Sequence, residues 1–148
     1  MSVEQEVIVE VKPGYDSDQV LTFKGKGHQE FHHNPSDLII KFGLCQNESS
    51  ENFVRKGNDL IYTHTIDLKD ALCHTPLHIC TLDNRCLNLS LDHYITPQTV
   101  HCLEGEGMPV KLTKEDRDEE HLKHVSDRKK GNLYIRFNIT FPCTLNND

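Results

Sequence analysis

Apolar and polar residues alternate along most of the chain with a period of two residues, and this predicts β-strands. In the clearest run, every second residue from Leu133 to Phe141 is apolar. Shorter alternating runs occupy residues 7–11, 21–23, 38–44, 60–66 and 87–91. Since alternation gives a strand one buried face and one solvated face, it is typical of antiparallel sheets.

Glycine and proline separate these runs at the positions where turns are expected. Pro13–Gly14 joins a residue of fixed φ to one that tolerates positive φ, and Gly57–Asn58 precedes another alternating run. Short strands punctuated at this spacing are typical of a sandwich or a barrel. The sequence therefore predicts an all-β fold class.

One short helix is predicted near residues 67–72. Asp67 is expected to cap it, and Asp70 lies in the first turn, where the helix dipole favours negative charge. Pro76 should end the helix, because the residue before a proline avoids the α-helical region.

A polar stretch at residues 46–52 predicts a connection between two β units, a smaller one at 3–53 and a larger one at 54–143. Residues 111–130 are dense in charge and carry no apolar stripe at helical spacing. We expect them to form a solvated insertion, and a docking element is the alternative.

Composition limits the classes of partner. The chain has 148 residues and a net charge of -7, from 16 basic and 23 acidic side chains. This acidic balance disfavours binding to nucleic acid and to anionic membranes. No apolar run reaches the roughly 20 residues that a membrane helix needs, and the first residues lack a signal-peptide pattern. We therefore expect a cytoplasmic protein with reduced cysteines.

The densest group of possible metal ligands is Cys73, His74, His78 and Cys80. Thr75–Pro76 interrupts the segment, and on the strand that follows only His78 and Cys80 share a face. Solvated imidazoles and packed thiols are the favoured interpretation, so no metal and no cofactor is expected. No nucleophile with a base and an orienting group is evident either, and the sequence does not indicate an enzyme.

Several short motifs stand in order along nearly the whole chain. They are VEVKPG (9–14), LTFKGKG (21–27), NFVRKGNDLIY (52–62), TLDNR (81–85), GEGMP (105–109) and KGNLYI (130–135). Each string alone has low specificity, but their order and intervals resemble the C-terminal region of DnaJ-type co-chaperones, the forty-kilodalton heat-shock family. Without a cysteine-rich zinc module, the chain is similar to the zinc-free type II/B subclass.

The resemblance implies two tandem β-sandwich-like subdomains, of which residues 3–53 would be an incomplete first and residues 54–143 the second. It also implies binding of unfolded polypeptide clients and their delivery to a seventy-kilodalton heat-shock ATPase. Phe53 matches the family's phenylalanine that lines the client groove, so it is the candidate peptide-binding residue. Packing of Phe53 in the core between the subdomains is an equal alternative.

The chain also departs from the family pattern. It has no His-Pro-Asp tripeptide, so we expect these 148 residues to lack the J-domain and the usual homodimer helix. The resemblance therefore predicts a fragment or a reduced relative. A structural subunit, as in ciliary radial spokes, is the alternative function, and a metal-binding protein using the Cys73–Cys80 cluster is a third.

Overall fold

The computed structural model describes residues 4–111 and 129–143, which contain eight strands, one α-helix and a short 3-10 helix at Glu48–Ser50. In chain order the main elements are β1 (Val20–Phe23), β2 (Leu38–Lys41), β3 (Phe53–Lys56), β4 (Asp59–Asp67), α1 (Leu68–Leu72), β5 (Leu77–Cys80), β6 (Cys86–Leu89), β7 (Val100–Leu103) and β8 (Leu133–Thr140). The predicted all-β fold class and the single short helix are confirmed.

The first of two compact units comprises, among the described residues, 4–45 and 110–111. Its antiparallel hairpin pairs β1 with β2, and the amide of Gly27 donates to the carbonyl of Ser36 at 2.7 Å. The strand predicted at residues 7–11 does not form. Alternation makes such a segment suitable for a sheet, but a strand also needs a neighbour to accept its ladder hydrogen bonds.

The second unit comprises residues 46–109 and 129–143 of the described chain. Its main sheet has the strand order β3-β4-β8-β7, in which only the β4–β8 pair is parallel. A separate hairpin joins β5 to β6. Side chains from the main sheet, this hairpin and α1 form one core, in which Ile79, Leu133 and Ile135 are fully buried.

The structure confirms the alternation of β8, whose Ile135 and Phe137 are buried while Arg136 and Asn138 are exposed. It corrects the expected helix cap. Asp67 occupies the N-cap of α1, but its carboxylate makes no capping bond and accepts from the hydroxyl of Thr140 at 2.6 Å instead.

Strands β3 and β7 are not among the predicted strands. The subdomain bounds 3–53 and 54–143 stay a prediction. Most of the charged insertion predicted at 111–130 lies outside the described residues.

Two motif glycines bring three backbone segments into close contact. A Cβ at Gly107 would lie 2.7 Å from the carbonyl oxygen of Asn58, and a Cβ at Gly131 would overlap the same oxygen. Gly107 donates to the carbonyl of Gly131 at 2.8 Å, and Met108 donates to the carbonyl of Asn58 at the same distance. We call this meeting of Asn58, Gly107 and Gly131 the glycine junction.

The glycine junction also sets the start of the parallel strand pair. The amide of Leu60 donates to the carbonyl of Asn132 at 2.9 Å, and the amide of Asn132 donates to the Asp59 carboxylate at 2.7 Å. These bonds fix the register in which Leu60 stands beside Leu133.

We predict that Gly131→Ala lowers the free energy of unfolding by about 2 kcal/mol or more, because the added methyl group collides with backbone rather than with a flexible side chain. Equilibrium urea denaturation would measure this loss. Gly43→Ala is the matched control, since nothing lies within 4 Å of a Cβ at that position. Equal stability of the two variants would contradict the role of the glycine junction.

Candidate functional site: an apolar cavity with a charged rim

An open cavity of about 200 Å³ lies in the second unit, next to the glycine junction. It is surrounded by the turn between β5 and β6, the loop at residues 105–109, and the first residues of β3, β4 and β8. Its lining residues are Phe53, Leu60, Thr81, Leu82, Asp83, Arg85, Glu106, Gly107, Met108, Pro109, Lys130 and Leu133.

The floor of the cavity is apolar and belongs to the core. Phe53, Leu60 and Leu133 are all buried, and Phe53 is 7% exposed. The Phe53 ring packs against Tyr62 with the ring centroids 4.7 Å apart. Phe53 therefore belongs to the core of the second unit and also lines a cavity, and its role in peptide binding stays a prediction.

The rim of the cavity is charged. The Nε of Arg85 donates to Asp83 at 2.7 Å, and its Nη2 donates to Glu106 at 2.5 Å. These hydrogen bonds and opposite charges raise the pKa of Arg85, those of Glu106 having the larger effect. The hydrogen bond from Thr81 has the largest effect on the pKa of Asp83 and lowers it. The hydrogen bond and the positive charge of Arg85 lower it further. The rim therefore presents paired charges around an apolar opening.

The turn that carries this rim is tightly held. Thr81 donates its amide to the carbonyl of Arg85 at 2.9 Å, and the amide of Arg85 donates back to the Thr81 hydroxyl at 3.1 Å. Asn84 takes a φ of 60°, which asparagine tolerates better than most residues. The turn places Leu82 beside the cavity with 41% of its surface exposed.

Strand β3 lies at one edge of the described sheet, since β4 is its single partner there. The amide of Thr63 donates to the carbonyl of Asn52, so that pair is hydrogen-bonded across the strands. Hydrogen-bonded pairs alternate with pairs whose backbone groups point away from the partner strand. The next pair, Phe53 with Tyr62, therefore directs the N–H and C=O of Phe53 to the outer edge.

The possible metal ligands do not converge. The His74 ring stacks on Tyr94, with centroids 4.9 Å apart, and the Nδ1 of His78 is 2.5 Å from the side-chain oxygen of Asn88. Cys80 lies beside Cys86. Within residues 4–111 and 129–143, no three His, Cys, Asp or Glu side chains are grouped to hold a metal ion.

The comparison with known proteins covers the motifs that surround the cavity. The family model for the DnaJ C terminal domain matches residues 2–142. The chain belongs to the DnaJ C-terminal domain family. Its motifs 52–62, 81–85, 105–109 and 130–135 all contribute to the cavity or to the glycine junction.

Curated DnaJ proteins match nearly the whole chain. DnaJ protein homolog ANJ1 of Atriplex nummularia is 31% identical over 97% of this chain, and Protein SIS1 of Saccharomyces cerevisiae is 30% identical over 98%. Human DnaJ homolog subfamily B member 13 is 31% identical over 93%. The aligned part is 30%, 37% and 38% of these relatives, so the chain spans about a third of their length.

Sequence reasoning named only Phe53 for this DnaJ-type site. The structure adds Leu82 and Met108 to its apolar lining and the Arg85–Glu106 pair to its rim. Their signal was present, because all four residues lie in the motifs that carried the resemblance, but the strings do not show that separate motifs meet.

None of the described helices combines the length and the hydropathy needed to cross a membrane.

His64 lies two residues beyond Tyr62 on the same side of β4, and its ring contacts Phe137 edge to face. Partial burial lowers the pKa of His64 from 6.5. The folded state favours the neutral imidazole of His64. The stability that the neutral side chain contributes is therefore present above pH 6.5 and is lost as the pH falls below that value.

We therefore predict that stability falls on acidification from about pH 7.5 to about pH 5.5, and that the fall is smaller in His64→Gln. Urea denaturation at the two pH values measures the free energy of unfolding of each protein. His93→Gln, at an exposed histidine, is the control and should behave as the unmodified chain. An identical fall in all three proteins would contradict this role for His64.

Proposed function

We propose that the second unit binds extended apolar segments of unfolded polypeptide, with one apolar side chain of the client seated in the cavity over Phe53. The observation that carries this proposal is an apolar floor at the edge of a sheet in a DnaJ C-terminal domain. A lining of this type binds by removing apolar surface from water and selects no single side chain.

The edge of β3 supports a second component of binding. The backbone N–H and C=O of Phe53 point outward, while its side chain lies under the cavity. A client strand added along this edge would gain backbone hydrogen bonds that do not depend on its sequence. Pocket and edge together suit a site that accepts many unfolded clients.

In the whole protein, we propose that the bound segment is delivered to a seventy-kilodalton heat-shock ATPase, which assists folding. Family membership and the DnaJ relatives support this step. The domain's own part is passive, because shielding an apolar segment needs no covalent chemistry. We therefore propose a binding module rather than an enzyme.

The test uses Leu82→Ser, because Leu82 lines the cavity and is exposed enough to be replaced without opening the core. Loss of its apolar contact should weaken binding of a fluorescein-labelled, uncharged peptide of alternating leucine and serine by roughly tenfold. Fluorescence anisotropy with the full chain measures the dissociation constant.

Leu72→Ser is the matched control, since Leu72 is a similarly exposed leucine of the second unit, at 52% against 41% for Leu82, and does not line the cavity. It should bind the peptide as the unmodified chain does. Equal affinities of the two variants, or no binding by the unmodified chain, would overturn the cavity as the client site.

The alternative function, a structural subunit, stays a prediction. It differs from client binding in stoichiometry and lifetime. If the chain is a structural subunit, purification of the tagged protein from cells should recover a fixed partner in constant ratio. Client binding predicts a variable set of unfolded proteins instead.

A further inference from the structure

Two exposed cysteines face each other across the hairpin that leads into the cavity rim. Cys80 ends β5, Cys86 begins β6, and the register pairs them directly. Their sulfur atoms are 3.7 Å apart, which makes a weak thiol hydrogen bond. Both residues are exposed to solvent as thiols.

The backbone at this pair suits a disulfide. The neighbouring pair, Thr81 with Arg85, is joined by a cross-strand backbone hydrogen bond. Because the two kinds of pair alternate, Cys80 and Cys86 form the closely spaced kind, with α-carbons about 4.5 Å apart. Disulfides span α-carbon distances of about 4.4–6.8 Å, so rotation of the side chains alone can bring the sulfurs together.

We propose that Cys80 and Cys86 are a dithiol site that low-molecular-weight disulfides oxidise to an intrachain disulfide. One thiolate attacks the small disulfide, forming a mixed disulfide and releasing one small thiol. The second cysteine then attacks the protein sulfur of the mixed disulfide and releases the other small thiol. The two cysteines lose two protons and two electrons in all, and the small disulfide takes them up and is reduced to two thiols.

The oxidised form covalently closes the base of the turn at residues 81–85. This turn carries Leu82 and the Arg85 that binds Glu106. The chemical step goes beyond the proposed client binding and does not depend on it.

The test treats the folded full chain with oxidised glutathione, blocks remaining thiols with iodoacetamide and digests it with trypsin. Trypsin cuts after Arg85, so the disulfide would join the peptide ending at Arg85 to the one beginning at Cys86. Each of these peptides holds a second cysteine, Cys73 or Cys102, so the double variant Cys73→Ser/Cys102→Ser is the control.

The linked peptides should appear in the unmodified chain and in the control variant at similar yield. They should be absent in Cys80→Ser, where Cys86 should instead retain bound glutathione because no second thiol resolves the mixed disulfide. Loss of the link in the control variant, or a stable glutathione adduct on Cys80 or Cys86 in the unmodified chain, would overturn the proposal. Circular dichroism of each variant checks that it is folded.

Discussion

The structure of the second unit depends on a steric constraint, the absence of side chains at Gly107 and Gly131. Only there can the backbones of three distant segments approach closely enough for Met108 to bond to Asn58 and for Gly107 to bond to Gly131. This contact starts β8 alongside β4 in parallel register. The glycine junction therefore aligns β4 with β8, and through them it aligns the core side chains that these two strands carry.

The close backbone approach at Gly107 and Gly131 also positions the walls of the cavity. Glu106 lies next to Gly107, so the glycine junction holds its carboxylate within reach of Arg85. The turn at residues 81–85 is thereby tied to the loop at 105–109, and the space between them opens onto the buried floor. An exposed ion pair contributes little to stability. Its value here lies in positioning two loops that are far apart in the sequence.

The sequence was informative where local pattern and burial agree. The alternation of β8 predicted its buried face because four apolar residues at every second position, from Leu133 to Ile139, share it. Strand β7 was missed, since in Val100–Leu103 neither face is clearly polar. Parallel pairing of β4 with β8 cannot be found from alternation, which indicates a face but not a neighbour. Asp67 illustrates the same limit, because its partner Thr140 is distant in the chain.

The parallel pairing of β4 and β8 also has a kinetic meaning. Its partners, such as Leu60 and Leu133, are separated by most of the second unit, so this contact has a high contact order and should form late and slowly. During synthesis, β3 and β4 leave the ribosome well before β8 exists. Until it arrives, the nascent DnaJ domain exposes the same apolar surface that it later uses as its core, and exposed surface of this kind promotes aggregation.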